Sequence, residues 1–155
     1  MPTKCHKIRA PVLDIDSAVR NALSRIDQHQ GTCCVGRFDD LNEPGDFQVV
    51  EVGDQSIFIT RDTERRIKAF YNTCRHRGSV LCVNERGRFN GGRISCPYHA
   101  WTYSLDGRLV KTPWRLPSDD FEFERFSLYR IGAVEWVGYV FVNLDVEEDT
   151  ALEDV

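Results

Sequence analysis

The spacing of hydrophobic positions changes period at Gly31. From Asp14 to Gln30, residues Ile15, Val19, Ala22, Leu23 and Ile26 recur at the spacing of one helix face. Asp14 and Asp16 are N-cap candidates, and Gly31 sits where a helix C-cap glycine is expected. Residues 1–11 carry no pattern and read as an irregular arm. After Gly31 come short runs rich in Val, Ile, Phe and Tyr: CCVGRF, FQVVEV, SIFITR and IKAFYN. Turn-formers at Asn42–Gly45, Gly53–Asp54 and Arg61–Glu64 separate them. WTYSLDGRLV predicts a hairpin with Asp106-Gly107 as a two-residue turn. SLYRIGAVEWV and GYVFVNL predict a second strand pair, broken at Gly138. Many short strands at regular spacing indicate a mainly β fold, an antiparallel sandwich or small barrel, with one N-terminal helix. The expected layout is an arm and helix over residues 1–31, one β-domain over 32–145, and an acidic tail or linker over 146–155.

The chain has 155 residues, one domain's worth, and is 41% hydrophobic and 28% charged. There are no internal repeats. No apolar run is long enough for a signal-peptide core or a membrane span, so the expected location is cytoplasmic. In that compartment the six cysteines are thiols or metal ligands rather than disulfides. Cys5, Cys33, Cys34 and Cys82 show no partner pattern and read as small buried hydrophobes. The net charge of −4 hides an asymmetry: Arg61 to Arg115 holds twelve Lys/Arg against four Asp/Glu. This block could serve nucleic acid, but its simpler use is to offset an anionic cofactor and attract an acidic protein partner. Neither nucleic acid nor membrane is expected as a partner.

Two short segments change the picture: Cys74-Arg75-His76 and Cys96-Pro97-Tyr98-His99. Each pairs one thiol with one imidazole, just after a predicted strand. Three readings compete. Two coincidental pairs would need matching order and matching loop context by chance. A Cys2His2 zinc site typically takes its cysteines from one segment and its histidines from another. The third reading is a [2Fe–2S] cluster in which two histidines replace two cysteines on one iron. One Cys and one His from each loop fits that cluster, with Cys74 and Cys96 on one iron and His76 and His99 on the other.

The runs NTCRHRG (Asn72–Gly78) and CPYHAWTYSLDGRL (Cys96–Leu109) resemble the Rieske domain of ring-hydroxylating oxygenases. EPGDF, IKAFYN, GYVFVNLD and the helix followed by VGRFDDL are similar to the alpha subunit of those enzymes. The resemblance spans Pro11 to Asp145. It implies a Rieske-type β-sandwich with a small cluster-binding subdomain, and Arg75, Arg77, Gly78, Tyr98 and Trp101 as neighbours of the ligands. In the family the second segment more often reads Cys-Pro-Tyr-His-Gly-Trp. Ala100 is a small-for-small departure expected to be tolerated. Respiratory Rieske proteins carry a further cysteine in each loop, where this chain has Ser79 and Tyr98. They also have a Ser donor to a cluster sulfur where this chain has Trp101. Fewer such donors imply a potential toward the low end of the Rieske range, about −150 mV. Arg75 and Arg77 read equally well as a solvated pair or as charges that offset the reduced cluster and dock a donor.

What the resemblance implies is one-electron transfer, from a reductase or ferredoxin to a mononuclear iron in a catalytic domain of a neighbouring subunit, within a homotrimer. That iron needs two histidines and a carboxylate. Here only His6 and His29 remain, and no histidine follows His99. The chain is therefore expected to be the Rieske portion of such an oxygenase, with a free-standing Rieske ferredoxin as the alternative.

Overall fold

Alternation along the strands decides the architecture. In Gln55–Arg61 (β3), Ile57 and Ile59 join one core, whereas Phe58 between them joins another. Both faces of the strand are thereby buried. The computed structural model describes residues 32–113 and 120–144. The remaining strands are Thr32–Arg37 (β1), Asp46–Val52 (β2), Ile67–Tyr71 (β4), Arg86–Arg88 (β5), Arg93–Ser95 (β6), Thr102–Ser104 (β7), Leu109–Lys111 (β8), Arg130–Trp136 (β9) and Tyr139–Asn143 (β10). Seven of them form one antiparallel sheet in the order β1-β10-β9-β4-β3-β2-β5, and β6-β7-β8 form a second.

One core lies on the large sheet alone and includes Ile57, Ile59, Ile67, Ile131, Val140 and Val142. The other joins Phe47, Phe58 and Phe70 of the large sheet to Ile94, Tyr103 and Leu109 of the small one and to Leu105 in the loop between β7 and β8. Each Phe in it contributes roughly 1.5–3 kcal/mol by burial. Cys74, Cys82, Cys96 and Trp101 belong to this second core, so it extends directly beneath the two Cys/His segments.

The predicted strands over CCVGRF, FQVVEV, SIFITR and IKAFYN all form, as does the late pair meeting at Val137-Gly138. Gly53-Asp54 is a two-residue turn between Val52 and Gln55. The turn after β3 falls later than expected, because Asp62 N donates to Arg66 O and Asp62 Oδ1 accepts from Glu64 N and Arg66 N. The WTYSLDGRLV hairpin also differs from expectation. Ser104 N donates to Arg108 O and Gly107 N to Ser104 O, so Leu105, Asp106 and Gly107 form a three-residue loop. The cause is Gly107, whose φ of +86° makes it the left-handed residue closing a type I turn. A Cβ there would overlap the Phe70 ring, so the same glycine lets the hairpin close onto the core. The expected N-terminal helix and the acidic tail lie outside the described residues.

Candidate metal centre

The two Cys/His segments fold into hairpin loops with one backbone frame. Thr73 bridges Val80, and Ser95 pairs with Thr102, closing the two hairpins. In the first, Cys74 N donates to Ser79 O (2.8 Å) and Gly78 N to Cys74 O (2.9 Å). In the second, Cys96 N donates to Trp101 O (2.8 Å) and Ala100 N to Cys96 O (2.9 Å). The residue four after each cysteine is left-handed: Gly78 at φ +71° and Ala100 at φ +54°. Ala100, the small-for-small departure expected to be tolerated, thus carries a Cβ in a left-handed conformation. Only glycine adopts that conformation without a Cβ clash.

This frame brings the four candidate residues together. Cys74 and Cys96 are 2% and 3% exposed, and their thiols interact. The His76 and His99 rings lie with centroids 4.8 Å apart and are half-buried. Thiols thus meet thiols and imidazoles meet imidazoles. Among the described residues, no three His, Cys, Asp or Glu side chains converge on one point as the ligands of a single ion would. Burial pushes the Cys74 thiol above its ordinary value, opposed by the Tyr103 hydroxyl. A thiolate there is favourable only beside a cation, as metal binding would provide. Burial, the His99 ring and Arg77 hold His76 below the ordinary histidine range, in the neutral form that ligates metals. His76 Nδ1 is buried and has no hydrogen-bond partner.

Neighbouring side chains fix the loops. Trp101 stacks on His76 at 4.7 Å and 10°, and meets Phe126 and Phe121 edge-on. Tyr98 is 65% exposed, and its ring lies 3.9 Å from that of His99. Gly78 has open space where a Cβ would stand. Arg75 donates to Arg125 O and lies over the Tyr129 ring, whereas Arg77 is exposed.

Sequence reasoning missed two further residues. The Tyr103 hydroxyl lies 3.3 Å from Cys74 Sγ and accepts from Arg75 N (3.2 Å). This is a contact to a cysteine sulfur, distinct from the donor to a cluster sulfur expected to be missing at Trp101. Its signal was available, because Trp101, Tyr103 and Leu105 alternate inward and a buried Tyr hydroxyl seeks a partner. Buried Asn72 accepts from Leu81 N and Cys82 N and donates to Cys82 O (3.2, 2.8 and 3.0 Å), tying the chain beyond the first loop to the strand before it. Nothing local to Asn72 announces that role. Cys82 itself is an apolar neighbour: burial pushes its thiol up to about 12.

The donor set fits a [2Fe–2S] group of mixed ligation: two buried thiols, two adjoining imidazoles and an unpartnered buried imidazole nitrogen. The Rieske [2Fe-2S] domain model matches residues 31–122. The chain belongs to the Rieske family. The glycine betaine monooxygenase oxygenase subunit of Pseudomonas aeruginosa is 35% identical over 126 residues, covering 81% of this chain and 28% of that protein. The carnitine monooxygenase oxygenase subunit of Escherichia coli is 34% identical over 121 residues, 78% of this chain and 32% of that one. The crystal structure of a quaternary ammonium Rieske monooxygenase in its apo form superposes with a TM-score of 0.71 at 35% identity, over 80% of this chain and 35% of that chain. The Rieske domain described here thus spans about a third or less of the length of these relatives. Its cofactor is one [2Fe–2S] cluster, and its role is one-electron transfer. No helix among the described residues is long and apolar enough to cross a membrane.

Proposed function

We propose that Cys74 and Cys96 hold one iron of the cluster and His76 and His99 the other, and that this domain feeds electrons into a Rieske oxygenase. The observation that carries the ligand assignment is the shared loop frame, which sets thiol beside thiol and imidazole beside imidazole. The cluster, when bound, takes up and releases one electron. The chain's own residues decide where it passes. Both cysteines are buried and both histidines are half-exposed, so the imidazole edge is the route in and out.

The relatives named as oxygenase subunits support the larger setting. In it a reductase or ferredoxin supplies the electron, and a mononuclear iron in a catalytic domain receives it from a neighbouring subunit of a homotrimer. The relatives' names include glycine betaine, carnitine and anthranilate, so the substrate is not confined to aromatic rings. Arg75 and Arg77 add positive charge on the donor-facing side.

Electron paramagnetic resonance of anaerobically purified, dithionite-reduced protein tests the assignment. The expected result is a brown protein with the low average g-value of mixed Cys/His ligation. One zinc per chain without iron would overturn it. The oxygenase setting is tested by the reading frame beyond Val155, where a motif of two histidines and a carboxylate is expected. A frame closing without one would favour the free-standing carrier.

A further inference from the structure

Arg75 and Arg77 bracket His76 with equal charge, but the fold treats them differently. Arg77 is exposed. The Arg75 guanidinium is half-buried and lies 3.7 Å over the Tyr129 ring centroid, with one terminal nitrogen donating to Arg125 O at 3.0 Å. These partners are neutral. Several other arginines meet carboxylates, Arg66 at Asp62, Arg86 at Asp40, Arg88 at Asp46 and Arg108 at Asp106, whereas buried Arg61, like Arg75, is held by backbone carbonyls and an aromatic ring. The Arg75 charge is therefore held in place without being cancelled.

A second observation points the same way. Among the described residues three buried side-chain polar atoms lack a hydrogen-bond partner: Gln48 Oε1, Arg75 Nε and His76 Nδ1. Two of the three belong to consecutive residues of the first loop. His76 Nδ1 is the nitrogen open to a metal, but the Arg75 Nε–H is a buried donor without an acceptor, which is costly and calls for an explanation. An anionic group bound at the loop would supply the acceptor.

We infer that Arg75 sets the reduction potential: lying in the chain between the proposed ligands Cys74 and His76 and clamped by Tyr129 and Arg125 O, its guanidinium stabilises the reduced form. This rests on the ligand assignment made under the proposed function. Reduction adds one electron, and hence one unit of negative charge, with no bond formed or broken. A fixed, partly desolvated cation favours that added charge. A mobile cation in water does so far less, because solvent and salt screen it. Tyr129 supplies the clamp, as a cation over an aromatic face is held by the ring quadrupole. Arg75 is thus a fixed charge rather than a ligand, and exposed Arg77, whose charge also acts on His76, is the mobile counterpart to compare with it.

Voltammetry of the iron-loaded protein, at low and high salt, tests this. Arg75→Gln is expected to lower the potential by an amount that persists at high salt, and Arg75→Lys to recover part of it. Tyr129→Leu is expected to lower it less and to make it salt-dependent, whereas Tyr129→Phe keeps the ring and leaves it unchanged. Arg77→Gln is expected to give a smaller shift that vanishes at high salt. The inference is overturned if Arg75→Gln keeps the parent iron content and resonance signal with an unchanged potential, or shifts no more than Arg77→Gln at high salt. Should Arg75→Gln fail to load iron, an unchanged potential in loaded Tyr129→Leu overturns it equally. Absence of the mixed-ligation resonance in the parent protein would instead mark failure of the ligand assignment.

Discussion

The first loop, Cys74–Ser79, and the second, Cys96–Trp101, close with the same pair of backbone hydrogen bonds and are stabilised by different means. Around the first loop the support is polar. Asn72 ties its two flanks together, the Tyr103 hydroxyl touches its thiol and its next backbone N–H, and Arg75 is clamped outside it. Around the second the support is apolar and aromatic: Trp101 is packed by Phe121 and Phe126, and Tyr98 lies against His99. The turn residue differs too, glycine in one and alanine in the other. A common backbone frame therefore suffices to present one Cys and one His. The surroundings are left to set the charge and hydrogen bonding that tune the centre.

The largest expected effect treats the loops as equivalent. Cys74→Ser and Cys96→Ser should each reduce iron to background and lower the melting temperature by a similar amount, since both thiols are buried and metal binding is coupled to folding. Iron assay and calorimetry check this. Full iron content in either variant would break the equivalence.

Asn72→Ala should separate the loops. It removes the partners of two buried backbone N–H groups and one carbonyl on the first side alone. Leaving them unsatisfied should cost about 2–4 kcal/mol. Urea denaturation of the loaded protein measures it. A loss under about 1 kcal/mol would mean that water replaces the amide, leaving the first loop less dependent on polar anchors than described.

How far the sequence foretold this structure depended on the range of each signal. The runs of β-formers in SIFITR and IKAFYN needed only neighbouring residues, and both strands formed as expected. The short strands β5 and β6 were too brief to stand out as apolar runs. The hairpin turn was placed one residue short, because Gly107 closes a three-residue loop through its positive φ. At the site, the order Cys, His, Cys, His was legible because each pair is local in sequence. Asn72 was not, since its partner Cys82 is met only when the chain beyond the loop folds back, whereas inward alternation announced a buried Tyr103 hydroxyl without naming Cys74 as its partner. The expected loss of a donor to a cluster sulfur, read from Trp101, took no account of the hydroxyl that Tyr103 places beside Cys74 two residues later.

Tyr103→Phe tests that oversight with a smaller effect. The ring stays in the core while the hydroxyl beside Cys74 Sγ is lost. A donor to a ligating sulfur favours the more negative, reduced state, so the variant should have a lower potential. The stability loss should be modest, about 1 kcal/mol. Voltammetry of loaded protein is decisive. An unchanged potential would mean that the hydroxyl donates elsewhere once the cluster is bound.

The smallest expected effect exchanges the turn residues. Ala100 occupies a left-handed conformation at φ +54° that costs a residue bearing a Cβ roughly 1–2 kcal/mol. Glycine would relieve that strain but lose more backbone entropy on folding, which offsets about 0.5–1 kcal/mol. The strain term wins, so Ala100→Gly should stabilise the domain by about 0.5–1 kcal/mol, read by urea denaturation of loaded protein. Gly78→Ala should destabilise it by a similar amount, and for a purely conformational reason, because nothing lies within 4 Å of a Cβ built at Gly78. Opposite signs of similar size would establish that the two loops share a backbone requirement which the sequence meets in one and strains in the other. If Ala100→Gly proved destabilising, the Ala100 methyl would have to contribute packing that outweighs its strain, and the loops would differ in their turns as well as in their surroundings.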